Sequence, residues 1–70
     1  MLDKKGTYLE NFQSVSVPEP KSGDRHKHAF IGTIIDILES RGTVMVDNNC
    51  GGVYEIEADR VSVEIGRAHV

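Results

Sequence analysis

The sequence predicts an all-β fold, a small barrel of five short strands. Three observations carry this. Most of the strong apolar residues lie between Phe30 and Ile65. Within that stretch apolar and polar residues alternate in short runs, the period-two signature of half-buried strands. Turn-forming clusters, Ser40-Arg41-Gly42 and Asp47-Asn48-Asn49-Cys50-Gly51-Gly52, separate the runs.

Taken in order, Met1–Gly6 is polar and is expected to fray. Thr7–Glu10 is a short approach segment, with Tyr8 and Leu9 available to cover a core edge. Gln13, Val15 and Val17 then share one face of a first strand, with Ser14 and Ser16 on the other. Pro18 and Pro20 end it, because neither can donate to a strand ladder and each forces the preceding residue to be extended. Pro18–His28 (PEPKSGDRHKH) has no strand-like apolar side chain and is expected to be a long loop. Loops of this length without a core of their own are mobile or functional.

Phe30–Glu39 is the strongest strand. Strict alternation places Ile31, Thr33, Ile35 and Ile37 on one face and Phe30, Gly32, Ile34, Asp36 and Leu38 on the other. Both faces are apolar, which predicts burial on two sides, either in a strand bent at Gly32 or against a second copy of the chain. Thr43–Asp47 follows as its antiparallel partner. Val53–Glu57 is the next strand, with Tyr54 and Ile56 on one face. Glu57-Ala58-Asp59-Arg60 reads as a single helical turn, and Val61, Val63 and Ile65 form the last strand.

Seventy residues make one domain, 1–70, with a barrel core over about 11–65 and flexible ends at 1–6 and 66–70. Cys50 is the only cysteine, so no disulfide can form within the chain, and extra stability is expected from a metal, from self-association or from an economical barrel core, the last two being favoured. No apolar run approaches the ~20 residues that cross a bilayer, and no apolar segment follows the first lysines. With the lone cysteine, these features suggest a cytoplasmic protein. Net charge is −3. Residues 1–28 hold five Lys/Arg against four Asp/Glu, and residues 29–70 hold three against seven. The barrel is thus the acidic part, which argues against tracking nucleic-acid phosphates.

The runs GTIIDI, GTVMV, the NNCGG turn and VYEIEADRVSVE resemble the strand, hairpin, strand, helical turn and strand of SH3-like barrels such as KOW and Tudor modules. The wider pattern over residues 15–64 is similar to small uncharacterised bacterial proteins, some carried on mobile gene cassettes. The resemblance implies a five-stranded SH3-like barrel with a long first loop at about 18–28 and a one-turn helix before the last strand. It implies no activity.

The candidate sites follow from residue chemistry. His26 and His28 project the same way if their segment is extended and would share a metal ion given a third ligand from Asp24, Cys50 or His69. The alternative is that they hydrogen-bond the backbone where the loop rejoins the barrel, and this reading is preferred. No cofactor is expected. Cys50 has no base beside it in sequence, and no catalytic triad or carboxylate pair stands out, so an enzyme is not expected. A binding role is expected instead, through Phe30, Ile34, Leu38 and Tyr54 with Arg25 and Lys27 near by. The partner is a protein or a second copy of the chain. The alternative is a nucleic acid held by Lys21, Arg25 and Lys27.

Overall fold

The computed structural model describes residues 1–64. Its strands are β1 (Ser14–Val17), β2 (Phe30–Leu38), β3 (Thr43–Asp47), β4 (Val53–Glu57) and β5 (Ser62–Val63). One 3-10 turn, Ala58–Arg60, precedes β5. The strands form a single sheet in the order β4-β3-β2-β1-β5, every neighbouring pair antiparallel. The all-β class, the five strands and the helical turn before the last one are as the sequence predicts. Ile65 and residues 66–70, expected to end the last strand and to form a flexible tail, lie outside the described residues.

One face of the sheet carries the core: Val15 and Val17 from β1, Ile34 from β2, Val44 and Val46 from β3, and Ile56 from β4. Leu9, Ala58 and Val61 join them from the connecting segments. Seven of these side chains are fully buried, and each such Val or Ile is worth about 1.5–3 kcal/mol of transfer free energy.

The apolar character of both faces of β2 has a local cause that differs from the expected one. Thr33 and Ile34 pair with Asp47 and Val46, but Asp36 and Ile37 pair with Met45 and Val44. Ile35 is therefore the extra residue of a β-bulge. The bulge resets the alternation, so Ile34 and Ile37 both face the core side while Ile35 is displaced outward, 41% exposed. Ile31, on the outer face, is 57% exposed. Burial on both sides of β2 is thus corrected. So is Gly32 as the bend: a Cβ there would lie 2.5 Å from the Asp47 carbonyl oxygen and 2.7 Å from Val46 Cγ1, so Gly32 serves close packing of β2 on β3.

Met1–Gly6 does not hang free. The Leu9 N–H donates to the Met1 carbonyl and the Lys4 N–H to that of Val61. Asp3 is buried, and its carboxylate accepts the Lys5 and Thr7 N–H groups at 2.9 and 2.7 Å and the Val63 N–H at 2.8 Å. Burial alone would raise the Asp3 pKa; the three N–H groups and the Lys5 ammonium outweigh it and hold the carboxyl below its ordinary value. The expected frayed end is a strap across β5.

Truncating Ile34 to alanine is expected to cost about 2–5 kcal/mol, as for other large-to-small changes in a core. Ile35→Ala, beside it in the chain, should cost under about 0.5 kcal/mol, as befits an outward position. Urea denaturation of the two variants measures both, and equal losses would place the bulge wrongly.

Candidate functional site

The loop from Pro18 to His28 folds back over one end of the sheet, and two side chains hold it there. His26, 4% exposed, lies with its Nε2 at 2.9 Å from the Pro18 carbonyl oxygen. That oxygen can only accept, so Nε2 carries the proton and closes the loop on itself. Arg60, on the 3-10 turn, reaches the loop from the other side. Its Nη1 lies 2.9 Å from the Asp24 carboxylate, and its Nη2 donates to the Glu19 carbonyl. The same Nη1 contacts Glu57 at 3.2 Å. Both Arg60 and Asp24 are mostly buried side chains, so this pair is better shielded from water than an ordinary surface ion pair.

His26 also packs against two aromatic rings. Its centroid lies 5.6 Å from that of Phe30, edge to face, and 5.9 Å from that of Tyr54; Phe30 and Tyr54 are 5.9 Å apart. Phe30 begins β2 and Tyr54 lies on β4, so strand order and register bring them to the same end of the core face. The rings form one wall of a cleft of about 240 Å³, completed by Lys27, His28 and Asn48. The Asn48 Oδ1 accepts the Cys50 and Gly52 N–H groups, which shapes the β3–β4 hairpin that forms the far side. The His26 Nδ1 is buried and has no hydrogen-bond partner. An unmatched buried polar atom of this kind costs about 1–3 kcal/mol.

The expected binding residues therefore separate. His26, Lys27, His28, Phe30 and Tyr54 meet in this cleft. Arg25 lines a different groove, of about 380 Å³, on the other side of Tyr54. Ile34 is a core residue with no exposed surface and cannot meet a partner, which corrects its place among the binding residues. Leu38 ends β2, roughly 25 Å along the strand from Phe30 at ~3.3 Å per residue, and takes no part in the cleft. No family model matches the chain, and no curated protein or solved structure does either.

Among the described residues, no three of His, Cys, Asp and Glu converge as a metal set. Asp24 is committed to Arg60 and to the Lys21 N–H, Cys50 is exposed on the hairpin, and His69 lies outside the described residues. Two participants escape the sequence. Asn48 reads as turn chemistry, which it also performs. The Arg60–Asp24 pair joins residues 36 apart in sequence, and no local pattern announces it.

The Lys21 N–H is the largest influence on Asp24, with partial burial opposing it and Arg60 and the nearby His26 assisting; the net effect holds the carboxyl below its ordinary 3.8. Glu57 is likewise lowered, first by its hydrogen bond with Arg60. A carboxyl lowered on folding stabilises the docked loop above its unfolded pKa and loses that contribution as pH falls through the folded one. NMR order parameters at Gly23–Arg25 should therefore drop below about pH 3.8 while those of β2 and β3 hold. Asp24→Asn should show the loosened loop already at pH 6; a loop equally rigid in both would remove the clamp from the account.

Proposed function

We propose that this chain is a small non-enzymatic interaction module, an SH3-like barrel of the reducing cytoplasm that binds a segment of a partner protein in the cleft between the 18–28 loop and the β3–β4 hairpin. One observation carries the reading: His26, Phe30 and Tyr54 converge on a cleft whose rim bears Lys27 and His28, next to a ring nitrogen that lacks a partner. Aromatic walls supply apolar contact area at little conformational cost. The exposed Lys27 suits an acidic neighbour to the inserted group. A segment with an aromatic or aliphatic residue beside Asp or Glu fits this chemistry.

Nucleic acid is the weaker reading. Arg25 and Lys27 line different cavities, and Arg60 is occupied by Asp24 and Glu57. Residues 18–28 carry a net charge of only +1, too few free cations for binding driven by phosphate contacts. Selection from a random-peptide display library tests the assignment. Enriched peptides should pair an apolar residue with Asp or Glu, shift the NMR signals of His26, Lys27 and Tyr54, and bind Lys27→Glu/His28→Glu at least tenfold less. Shifts confined elsewhere, or tighter binding to an RNA oligonucleotide than to any peptide, would sink it.

A second reading, self-association, has its own observation. Phe12 is 80% exposed at φ +71°, a left-handed conformation that bulky residues rarely adopt. Its N–H donates to the Ile34 carbonyl, which sets it beside the exposed Ile35. With Ile31, Ser14, Ser16 and Thr33 these residues form an uncharged stretch of the outer face that ends at the exposed Asp36. Two copies can stack these apolar and hydroxyl side chains against each other. Sedimentation at millimolar concentration should show a dimer that Ile31→Lys dissolves, and a strict monomer would end this second reading.

A further inference from the structure

The two outer edges of the sheet are treated differently. At β5 the Val63 N–H donates to the Asp3 carboxylate at 2.8 Å and the Val61 carbonyl accepts the Lys4 N–H, so the N-terminal strap closes that edge. The β4 edge has no such cover. The Asn48 N–H donates to the Gly52 carbonyl, and the Ala58 N–H to the Gly42 carbonyl. In an antiparallel ladder hydrogen-bonded pairs alternate with non-bonded ones. Between those two fixed points, Tyr54 and Ile56 thus bond to Val46 and Val44, while the N–H and C=O of Val53 and Glu55 point away from β3. Among the described residues, no backbone hydrogen bond from outside the sheet reaches them. Gly23, Asp24 and Arg25 of the 18–28 loop stand across a groove of about 380 Å³ from this edge.

The charged side chains that line the groove are Asp24, Arg25 and Glu55. Both carboxylates are engaged within the chain. Glu55 accepts the Arg41 Nε at 2.7 Å, the Arg41 Nη2 at 3.2 Å and the Thr43 hydroxyl at 2.7 Å. Asp24 is held by Arg60 at 2.9 Å and by the Lys21 N–H. Glu57, further along the same edge, is held by Arg60 as well. Arg25 is exposed and, among the described residues, makes no ion pair. The charge that the groove leaves to an occupant is therefore positive.

We infer that this groove takes an extended acidic segment of another protein as a sixth strand, its main chain bonded to Val53 and Glu55 and an Asp or Glu side chain paired with Arg25. Strand addition at a free edge draws affinity from main-chain bonds and specificity from side chains. Arg25 supplies the specificity, because it attracts a carboxylate and repels a Lys or Arg in the same place. Its planar guanidinium also suits a carboxylate, which it can grip through two parallel N–H bonds. Val53 and Met45, neither of them fully buried, offer apolar contact on the outer face to a neighbour of the acidic residue. This surface is separate from the cleft lined by His26, and the inference does not depend on a ligand there.

The test titrates the full chain, followed by NMR, with acetyl-TVEVT-amide, its lysine counterpart acetyl-TVKVT-amide, and the glutamate peptide N-methylated at every residue. The glutamate peptide should shift the amide signals of Val53 and Glu55 and slow hydrogen exchange at both. The lysine peptide should bind at least tenfold more weakly. The N-methylated peptide keeps the carboxylate but has no residue N–H, and it should not bind. Arg25→Glu, a change at an exposed side chain, should leave the spectrum of the fold in place and reverse the order of the glutamate and lysine peptides. Equal binding of those two, an order unchanged by Arg25→Glu, absence of binding, or protection of Val53 and Glu55 by a second copy of the chain alone would each overturn the assignment. So would shifts confined to His26, Lys27 and Phe30, an outcome that leaves the cleft reading standing. Protection at Val53 and Glu55 that persists in the Lys27→Glu/His28→Glu variant supports the edge alone.

Discussion

The bulge at Ile35 is the constraint on which the sheet depends. β2 is the longest strand and joins β1 on one side to β3 on the other. Its sequence, FIGTIIDIL, places apolar residues at positions that a regular strand would turn to opposite faces. One extra residue brings Ile34 and Ile37 into register with Val46 and Val44, and the core then closes with aliphatic side chains on both central strands. Without it, either Ile37 would face water or Ile34 would, and a domain of this size has few other large aliphatic groups to compensate.

The same strand positions the candidate cleft. Phe30 opens β2 beside Val17, and the absence of a Cβ at Gly32 lets the Phe30 ring and Val46 approach. The long loop then has aromatic surface to settle on, and His26 and Arg60 fasten it from within and from the 3-10 turn. The loop is thus neither a free appendage nor part of the core: it is a built wall, fixed at Pro18, Glu19 and Asp24. Two cavities flank Tyr54 because this wall crosses the sheet end next to β4 rather than pairing with it.

Much of this was legible in the sequence, and the exceptions have physical reasons. Strand limits were readable because Val-Ser-Val and Val-Tyr-Glu-Ile-Glu alternate cleanly and Gly- and Asn-rich turns bound them. The bulge was not, since Ile34, Ile35 and Ile37 are all isoleucine and a shift of register leaves the apolar pattern unchanged. The buried strap at Asp3 was hidden for another reason: Met-Leu-Asp-Lys-Lys-Gly looks solvated, and the N–H that engages Asp3 belongs to Val63. At the site, residue type pointed to His26, His28, Phe30, Tyr54 and Lys27, because unpaired aromatics and histidines are few here. Ile34 was misplaced through the same register ambiguity, and Arg25 was separated from Lys27 by the turn of the loop.

The bond between Asp3 and the Val63 N–H spans sixty residues, and β1 finds its second partner only in β5. On a ribosome adding roughly 5–20 residues per second, about 3–12 s pass between making Asp3 and making the Val63 that it binds. Once β4 has been made at Glu57 and until β5 follows, four strands are present while β1 still has one unpaired side. Topologies built on such distant pairings fold late. Vectorial synthesis therefore makes most of the apolar surface of the sheet before the strand that seals it.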